Sequence, residues 1–267
     1  MSNQLGALEA RFFSWTQNRS VVTVKTGDLV KILRLTPRQE ASLLSRMARK
    51  RLIVALKRGL YLIPKTLPAG GVFSPSAYIV IDALMKDVRA TGYQISGLTA
   101  FNSYGLDTQI PNQLDIYNDK LSGMRTIAGQ KYRFIKVLPA RLGFTQNYQV
   151  REREGELTIE FSSLPRAVFD AIYDFEKYGT IPKAYGWLKE RVQDRVFIKE
   201  FLVVLLKLAN VSTLKRVGYV LEKARCKKSV LDAIQRKIPK KLAFISLDPT
   251  KKARGKINSK WGVIINE

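Results

Sequence analysis

The sequence predicts an α+β protein, in which a small module of helices and a hairpin precedes a mixed α/β domain with a basic helical C-terminal part. Apolar residues recur at helical spacing near both ends of the chain, and strand-like alternation lies mainly in its middle. The 267 residues are 46% hydrophobic, enough for two domains. We place these domains at residues 1–66 and 67–267, with a subdivision near 183 left open and a Pro/Gly-rich linker at residues 64–71.

The composition excludes several classes of protein. The chain has one cysteine, Cys226, and no histidine, so an internal disulfide, a Cys/His zinc site and a mechanism that needs imidazole are all ruled out. Residues 1–13 lack a signal-peptide pattern. The longest apolar run, residues 201–206, is far shorter than the about 20 residues of a membrane span. We expect a cytoplasmic protein with no metal, no cofactor and no membrane contact.

Positive charge is concentrated at the two ends of the chain. Residues 1–66 hold 13 Lys and Arg against 3 Asp and Glu, a net of +10. Residues 67–183 hold 13 against 12, a net of +1, and residues 184–267 hold 20 against 7, a net of +13. Such clustering favours a nucleic-acid partner, at least for the first block, although basic side chains also keep a surface solvated.

The first two helices of residues 1–66 follow from apolar spacing and helix-start signals. The first helix has an apolar stripe at spacings of 3, 4 and 3, formed by Leu5, Leu8, Phe12 and Trp15. A second, short helix is predicted over residues 26–33, with Asp28 in its first turn, where the helix dipole favours negative charge.

A third helix is predicted from Thr36 to about Lys50. Thr36 is its N-cap, Pro37 its first residue, and Gln39 completes a capping box. One side of this helix is apolar and carries Leu43, Leu44 and Met47. The opposite side carries Arg38, Ser42, Ser45 and Arg49, flanked by Gln39, Arg46 and Lys50, with Glu40 as its single acid.

This polar side is typical of a helix that enters the major groove of DNA. Arg and Gln side chains reach base edges, and small Ser residues allow close approach.

Next come two apolar runs, residues 52–56 and 60–63, separated by Lys57, Arg58 and Gly59. This pattern predicts a hairpin with basic residues at its tip. Three helices followed by such a hairpin give the order of a winged helix-turn-helix. Alternatively, the polar side is an ordinary solvated helix face, and winged helices also mediate protein contacts.

The remaining elements are predicted from periodicity. Helices are expected over residues 75–90, 96–104, 201–208 and 214–225, from Arg166 onward, and after an N-cap at Ser229. Strands are expected over residues 114–117, 131–138 and 157–161.

Four stretches of residues 67–267 resemble the AbiEi antitoxin family. Residues 92–101 (GYQISGLTAF) and 104–112 (YGLDTQIPN) are similar to one motif of the family, with Gln94 as an additional residue. Residues 163–171 (SLPRAVFDA) are similar to a second motif, with Leu164 inserted and Arg166 in place of an acid. Residues 216–222 (RVGYVLE), and 247–249 (LDP) with Gly255 and 261–266 (WGVIIN), are similar to its C-terminal motifs.

The resemblance implies an antitoxin of a two-gene toxin–antitoxin, abortive-infection (phage-defence) module. Its winged helix would repress its own operon by binding inverted repeats in the promoter. Its C-terminal domain would counteract a toxin of the nucleotidyltransferase fold, directly or indirectly. The alternative is an RNA- or protein-binding module, or a plain transcriptional regulator, without an antitoxin role.

The sequence offers no support for catalysis, and we expect a protein that is not an enzyme. It contains no Gly-Ser dipeptide, no Asp-x-Asp, no Glu-x-Lys and no P-loop. We interpret its acidic clusters as solvated surface, and Cys226, whose basic neighbours could lower its pKa, as an incidental thiol. The clusters are Asp170 with Asp174, and Glu152, Glu154 and Glu156.

A second basic surface is expected near the C-terminus. It could contact more DNA, bind an acidic surface of the toxin, shield the RNA or nucleotide on which the toxin acts, or simply confer solubility. Its residues are Lys215, Arg216, Arg225, Lys227, Lys228, Arg236, Lys237, Lys240 and Lys241.

Overall fold

The structure is a computed structural model that describes residues 5–67, 71–152, 155–239 and 243–266. Contacts divide the chain into two units. The N-terminal unit comprises Met1–Tyr93, Asn118–Pro139 and Asn147–Ile159, and the C-terminal unit comprises Gln94–Tyr117, Ala140–Gln146 and Glu160–Glu267. These bounds differ from the division at residue 66 that the sequence predicts. Part of the predicted linker, residues 68–70, lies outside the described residues.

The fold is mixed α+β. The α-helices of the described residues are α1 (Ala7–Asn18), α2 (Asp28–Ile32), α3 (Pro37–Arg49), α4 (Ala77–Asp87), α5 (Gly97–Ser103), α6 (Leu164–Tyr173), α7 (Phe175–Tyr178), α8 (Lys183–Glu190), α9 (Arg195–Leu208), α10 (Val211–Lys223) and α11 (Lys228–Gln235).

The strands form three sheets, with strand orders β1-β3-β2, β6-β7-β5-β4-β9-β8 and β10-β12-β11. Their bounds are β1 (Thr23–Lys25), β2 (Val54–Lys57), β3 (Leu60–Leu62), β4 (Tyr93–Ser96), β5 (Gln113–Asn118), β6 (Gly123–Ile127), β7 (Gln130–Lys136), β8 (Thr145–Glu152), β9 (Gly155–Ser162), β10 (Ile245–Ser246), β11 (Lys256–Asn258) and β12 (Val263–Ile265).

Residues 5–63 of the N-terminal unit, here called the N-terminal module, have their own sheet and core. Strand β3 is central and pairs antiparallel with both β1 and β2. Helices α1, α2 and α3 contribute apolar side chains to one cluster, which includes Phe12, Leu29, Leu44 and Ile63, each 0% exposed. The buried members of this cluster all come from residues 12–63, so the module has a hydrophobic core of its own.

The rest of the N-terminal unit includes α4 and the hairpin of β6 and β7. The hairpin pairs Gly123 with Phe134 and Ile127 with Gln130, which leaves a two-residue turn. Both turn residues, Ala128 and Gly129, have positive φ, as a type I′ turn requires.

The C-terminal unit is built around a helical core. Strand β4 runs parallel to β9, with Ile95 opposite Phe161. Helices α5 to α11 bury a continuous apolar cluster that includes Phe169 and Trp261. The Trp261 ring lies directly against Gly218 of α10, where any larger residue would collide with it.

Most of the predicted elements are present in the structure. Several of its short or polar strands, however, are not predicted by the sequence. Strands β1, β4, β6 and β8 are short or polar, and the sequence gives no clear alternation for them. The predicted N-cap at Ser229 is wrong: α11 begins at Lys228, after Lys227, without a side-chain cap. Across the described ranges, no helix is both long enough and apolar enough to cross a membrane.

Candidate nucleic-acid interface

Helix α3 begins at a well-defined residue because two side chains satisfy its first backbone groups. The Oγ1 atom of Thr36 accepts a hydrogen bond from the N–H of Gln39 at 3.3 Å, and Oε1 of Gln39 accepts one from the N–H of Thr36 at 2.8 Å. Pro37 follows the cap. The predicted capping box is therefore confirmed. Since its oxygen is used in the cap, Gln39 keeps only its amide N–H groups for another partner.

One side of α3 anchors the helix in the N-terminal module. Leu43, Leu44 and Met47 are at most 1% exposed and pack in the same cluster as Phe12 and Leu29. The predicted apolar side is confirmed. Burial of each such side chain contributes about 1.5–3 kcal/mol, so the opposite side of the helix is held in a fixed orientation towards solvent.

Glu40 lies on the buried side of α3, which corrects the expectation of an acid on the polar side. Its side chain is 1% exposed and accepts hydrogen bonds from the N–H groups of Gly27 and Leu29, both at 2.8 Å. These donors belong to the start of α2, whose first N–H groups have no partner within the helix. Glu40 therefore caps α2 and joins it to α3.

The exposed side of α3 consists only of basic, polar and small residues. Over the about 16 Å from Arg38 to Arg49, no acidic side chain is exposed on α3. We call this set the α3 face. It comprises the exposed residues Arg38, Gln39, Ser42, Ser45, Arg46 and Arg49.

Two cations at the end of α3 are engaged by an acid of α1. Glu9, with its side chain 2% exposed, lies 3.0 Å from Nε of Arg46 and 3.2 Å from Nζ of Lys50. Burial alone would raise the pKa of Glu9, but hydrogen bonds from Gly6, Arg46 and Lys50 hold it below its ordinary value. Arg46 and Lys50 remain 44% and 36% exposed, so they join α1 to α3 and still face solvent.

Arg38 and Arg49 differ from these two cations. Neither forms an ion pair with any residue that the structure describes, and both are exposed. A guanidinium without an acidic partner keeps its donors for a ligand, and its planar fork matches guanine edges or phosphate oxygens. They are the strongest candidates for direct contact with DNA.

The predicted hairpin tip is confirmed as a turn between β2 and β3. Lys57 pairs with Leu60, so Arg58 and Gly59 form the two-residue loop. Gly59 has φ +77°, a conformation that favours glycine. Lys57 and Arg58 are both exposed.

An acid of α4 partly neutralises this hairpin. Asp87, with its side chain 7% exposed, lies 2.5 Å from Nζ of Lys57 and 2.8 Å from Nζ of Lys25. Hydrogen bonds from the two lysines lower the pKa of Asp87. Arg58 makes no ion pair within the described ranges and is the cation of the tip best placed to bind an anion.

The second basic surface predicted near the C-terminus is smaller than expected. Lys215 is 2% exposed and donates a hydrogen bond to the carbonyl of Ala243 at 2.5 Å, so its assignment to a surface is wrong. Arg216 is half-buried, donates to the carbonyl of Ser246 at 3.0 Å and covers the ring of Phe175. Burial lowers the pKa of both side chains.

The other described members of that surface are exposed. Lys240 and Lys241 lie outside the described residues. The exposed cations, here called the C-terminal cations, are Arg225, Lys227, Lys228, Arg236 and Lys237.

The carboxylates Asp170 and Asp174 are buried, so their interpretation as solvated surface is wrong. Both oxygens of Asp170 lie 2.9 Å from Nε of Arg166, and both residues are 0% exposed. Asp174 accepts hydrogen bonds from Nη2 of Arg141 and from the hydroxyl of Tyr117, both at 2.9 Å. The two acids belong to an ionic cluster inside the C-terminal unit.

The pKa values of these acids reflect that cluster. Burial raises the pKa of Asp170, although Arg166 opposes the shift. Burial acts on Asp174 in the same direction, but hydrogen bonds from Lys177 and Arg141 bring its pKa below the ordinary value. The spacing of four residues between Arg166 and Asp170, in an otherwise apolar helix, is the signal that could have revealed the pair.

The remaining candidate residues are Cys226 and the glutamates at 152, 154 and 156. Cys226 is buried, and burial raises the pKa of its thiol although Lys227 beside it acts in the opposite direction. Glu156 is exposed, whereas Glu154 and the side chain of Glu152 lie outside the described parts of the chain. The described residues include no cluster of three or more Cys, Asp or Glu that could hold a metal ion.

A protein family and a solved structure are similar to this chain. Residues 23–149 match a protein family described as "Family of unknown function (DUF6088)". No curated protein matches the chain. The crystal structure of the RV2827C protein from Mycobacterium tuberculosis is similar, with a TM-score of 0.60 and 13% sequence identity over 98% of this chain and 92% of that chain. The chain is therefore similar in fold to RV2827C along nearly its whole length, and its residues 23–149 match the DUF6088 family model.

Proposed function

We propose that the N-terminal module is a winged helix-turn-helix that binds double-stranded DNA and represses transcription. Three helices, a strand between the first two, and a hairpin that closes a sheet of order β1-β3-β2 support this proposal. In such a module, the third helix enters the major groove and the hairpin is the wing.

The single observation that carries the proposal is the absence of exposed acids on α3. The acid of α3 and the acid of α1 that contacts its end both direct their negative charge inward: Glu40 caps α2, and Glu9 holds Arg46 and Lys50. An ordinary solvated helix face mixes both signs of charge. A surface that retains only cations and small polar groups suits the phosphates and base edges of DNA.

We assign the predicted contacts to two groups. Arg38 and Arg49, with Gln39, Arg46, Ser42 and Ser45 on the same face, would approach the base edges. Lys50, Lys57 and Arg58 would contact phosphates, and Arg58 would do so from the tip of the wing.

We further propose that the protein is an antitoxin and autorepressor of the AbiEi type. This part rests on the motifs of residues 67–267 and on the winged-helix proposal. The protein would bind inverted repeats in its own promoter and counteract a toxin of the nucleotidyltransferase fold, directly or indirectly. Its function would require no catalysis.

The DNA-binding part is tested with three probes: the upstream DNA of the gene, a scrambled duplex of equal length, and bulk tRNA. We expect tight binding to the upstream DNA that persists at about 0.2 M salt, where the scrambled duplex dissociates. Equal and steeply salt-dependent binding to both duplexes would contradict sequence-specific repression. A preference for tRNA would instead support an RNA-binding function.

The antitoxin part is tested by co-expression with the product of the adjacent gene. If that gene encodes a nucleotidyltransferase-fold toxin, the full-length protein should restore growth. An Arg38→Ala/Arg49→Ala variant should still restore growth under an external promoter, although it no longer represses its own. Failure of the wild-type protein to restore growth would contradict the antitoxin role and leave DNA binding unaffected.

A further inference from the structure

A cleft of about 540 Å³ lies inside the N-terminal unit, where β1, α4 and β9 meet. Val22, Ile79, Ala83 and Leu157 supply its apolar lining. The other eight described residues of the lining are polar or charged. The volume lies in the range of about 300–1,000 Å³ that is typical of small-molecule sites. None of the residues proposed to contact DNA lines the cleft, although Lys57 forms an ion pair with its Asp87.

The aspartates of this cleft are neutralised by lysines. Asp82 lies 2.8 Å from Nζ of Lys86, one turn further along α4. Asp87 is held between Lys25 and Lys57, at 2.8 and 2.5 Å. Because each carboxylate already has a cationic partner, these acids offer little repulsion to an anion that enters the cleft.

The cleft also has a cation that the described residues do not neutralise. Arg89 follows the end of α4, is exposed, and makes no ion pair with any described residue. Glu156, the remaining acid of the lining, has a side chain 65% exposed and lies 3.9 Å from Nη2 of Arg151. A guanidinium beside an apolar lining suits a planar or tetrahedral anionic group attached to an apolar body.

We propose that this cleft binds a small organic anion: an aromatic or branched aliphatic body that carries one carboxylate, sulfonate or phosphate group. The body would rest on Val22, Ile79, Ala83 and Leu157. The anionic group would bind Arg89.

The probe that matches this class is 8-anilino-1-naphthalenesulfonate, and its uncharged analogue is N-phenyl-1-naphthylamine. Both are titrated into the full-length protein, with fluorescence as the readout. We expect saturable binding of one sulfonate per chain, and binding of the uncharged analogue weaker by about tenfold, the loss of one charge-assisted hydrogen bond. Non-saturable binding, or equal affinity for both probes, would overturn the proposal.

Three variants locate the bound probe. Ile79→Glu places an acid in the apolar lining, and Arg89→Gln removes the cation; each should weaken sulfonate binding by about tenfold. Arg89→Gln should also abolish the preference over the uncharged analogue. Val203→Glu is the matched control, because Val203 is an apolar residue of α9, 54% exposed, in the C-terminal unit.

The control variant should bind the sulfonate as the wild type does. If Val203→Glu weakens binding and the two cleft variants do not, the probe binds elsewhere and the proposal is wrong. Arg89 is exposed, so Arg89→Gln should fold even if Ile79→Glu does not, and it alone decides whether the cation contributes.

Discussion

Two cations of α3 and two of α10 come from similarly basic blocks of the sequence, but their environments are opposite. Arg38 and Arg49 project into solvent without an acidic partner. Lys215 and Arg216 extend into the C-terminal unit and donate hydrogen bonds to the carbonyls of Ala243 and Ser246. Regional net charge therefore does not reveal which cations a partner can reach.

The difference arises from how many sides of each helix are covered. Helix α3 packs on one side against α1 and α2, whereas α10 contacts α8, α11 and β12. On a helix covered on several sides, the long stem of a lysine or arginine packs among apolar residues, and its charged end must find a partner inside the protein. We expect substitutions of buried charges to reduce stability, and substitutions on the α3 face to reduce binding.

The largest effect is expected for Asp170→Ala. This change leaves Arg166 buried without its carboxylate and should lower the free energy of unfolding by about 3–5 kcal/mol. Denaturant unfolding measures the loss. The matched control is Asp232→Ala, an exposed acid of α11, with an expected change within about 0.5 kcal/mol. Equal losses in the two variants would contradict a specific role for the buried pair.

The next effect concerns DNA. Arg38→Ala should weaken binding to the upstream duplex by about 1–3 kcal/mol and relax the sequence preference, because Arg38 is proposed to contact base edges. Its melting temperature should stay close to that of the wild type, since Arg38 is exposed and makes no ion pair within the described residues. Unchanged affinity and preference would show that α3 does not read the DNA sequence.

A smaller, pH-dependent effect is expected for Glu9→Gln. At neutral pH the variant should lose about 1 kcal/mol of stability, because the half-exposed Arg46 and Lys50 are partly screened by solvent. The pKa of Glu9 is lowered in the folded protein from its ordinary value of 4.5. Its stabilisation is therefore present above that pH and lost as the pH falls below it.

Unfolding of the wild type and the variant at neutral pH and at about pH 3 checks this prediction, since the difference should be smaller at the lower pH. A difference that is the same at both pH values would mean that the charge of Glu9 contributes nothing.

The smallest effect concerns the hairpin. Asp87→Asn removes the negative charge beside Lys57 and should tighten binding to every duplex by less than about fivefold. Lys57→Ala should weaken binding to all duplexes about equally and reduce the salt slope by about one. Affinity measured on the upstream and scrambled duplexes checks both variants. A change confined to the upstream duplex would contradict a phosphate contact.

Local signals in the sequence predict much of α3 and of the hairpin. Thr36, Pro37 and Gln39 act within one helical turn, and the turn at Arg58 and Gly59 needs only its two neighbouring strands. Such features depend on residues a few positions apart, so a single sequence reveals them.

Features that depend on distant residues were missed. Glu40 binds backbone groups 11 and 13 residues away, and Lys215 binds a carbonyl 28 residues away. Neither contact leaves a periodic signal in the sequence. Burial of Asp170 likewise depends on the surrounding helices, although its spacing of four residues from Arg166 is a local signal for the pair.

The most direct test of the central claim compares the two basic regions in one binding experiment. The Arg38→Ala/Arg49→Ala variant and an Arg225→Ala/Lys228→Ala variant each lose two exposed arginine or lysine side chains. Both are titrated against the upstream and scrambled duplexes at about 0.2 M salt. The first variant should lose its preference for the upstream duplex, and the second should keep it. Retained preference in the first variant, with loss in the second, would contradict the assignment of DNA recognition to α3.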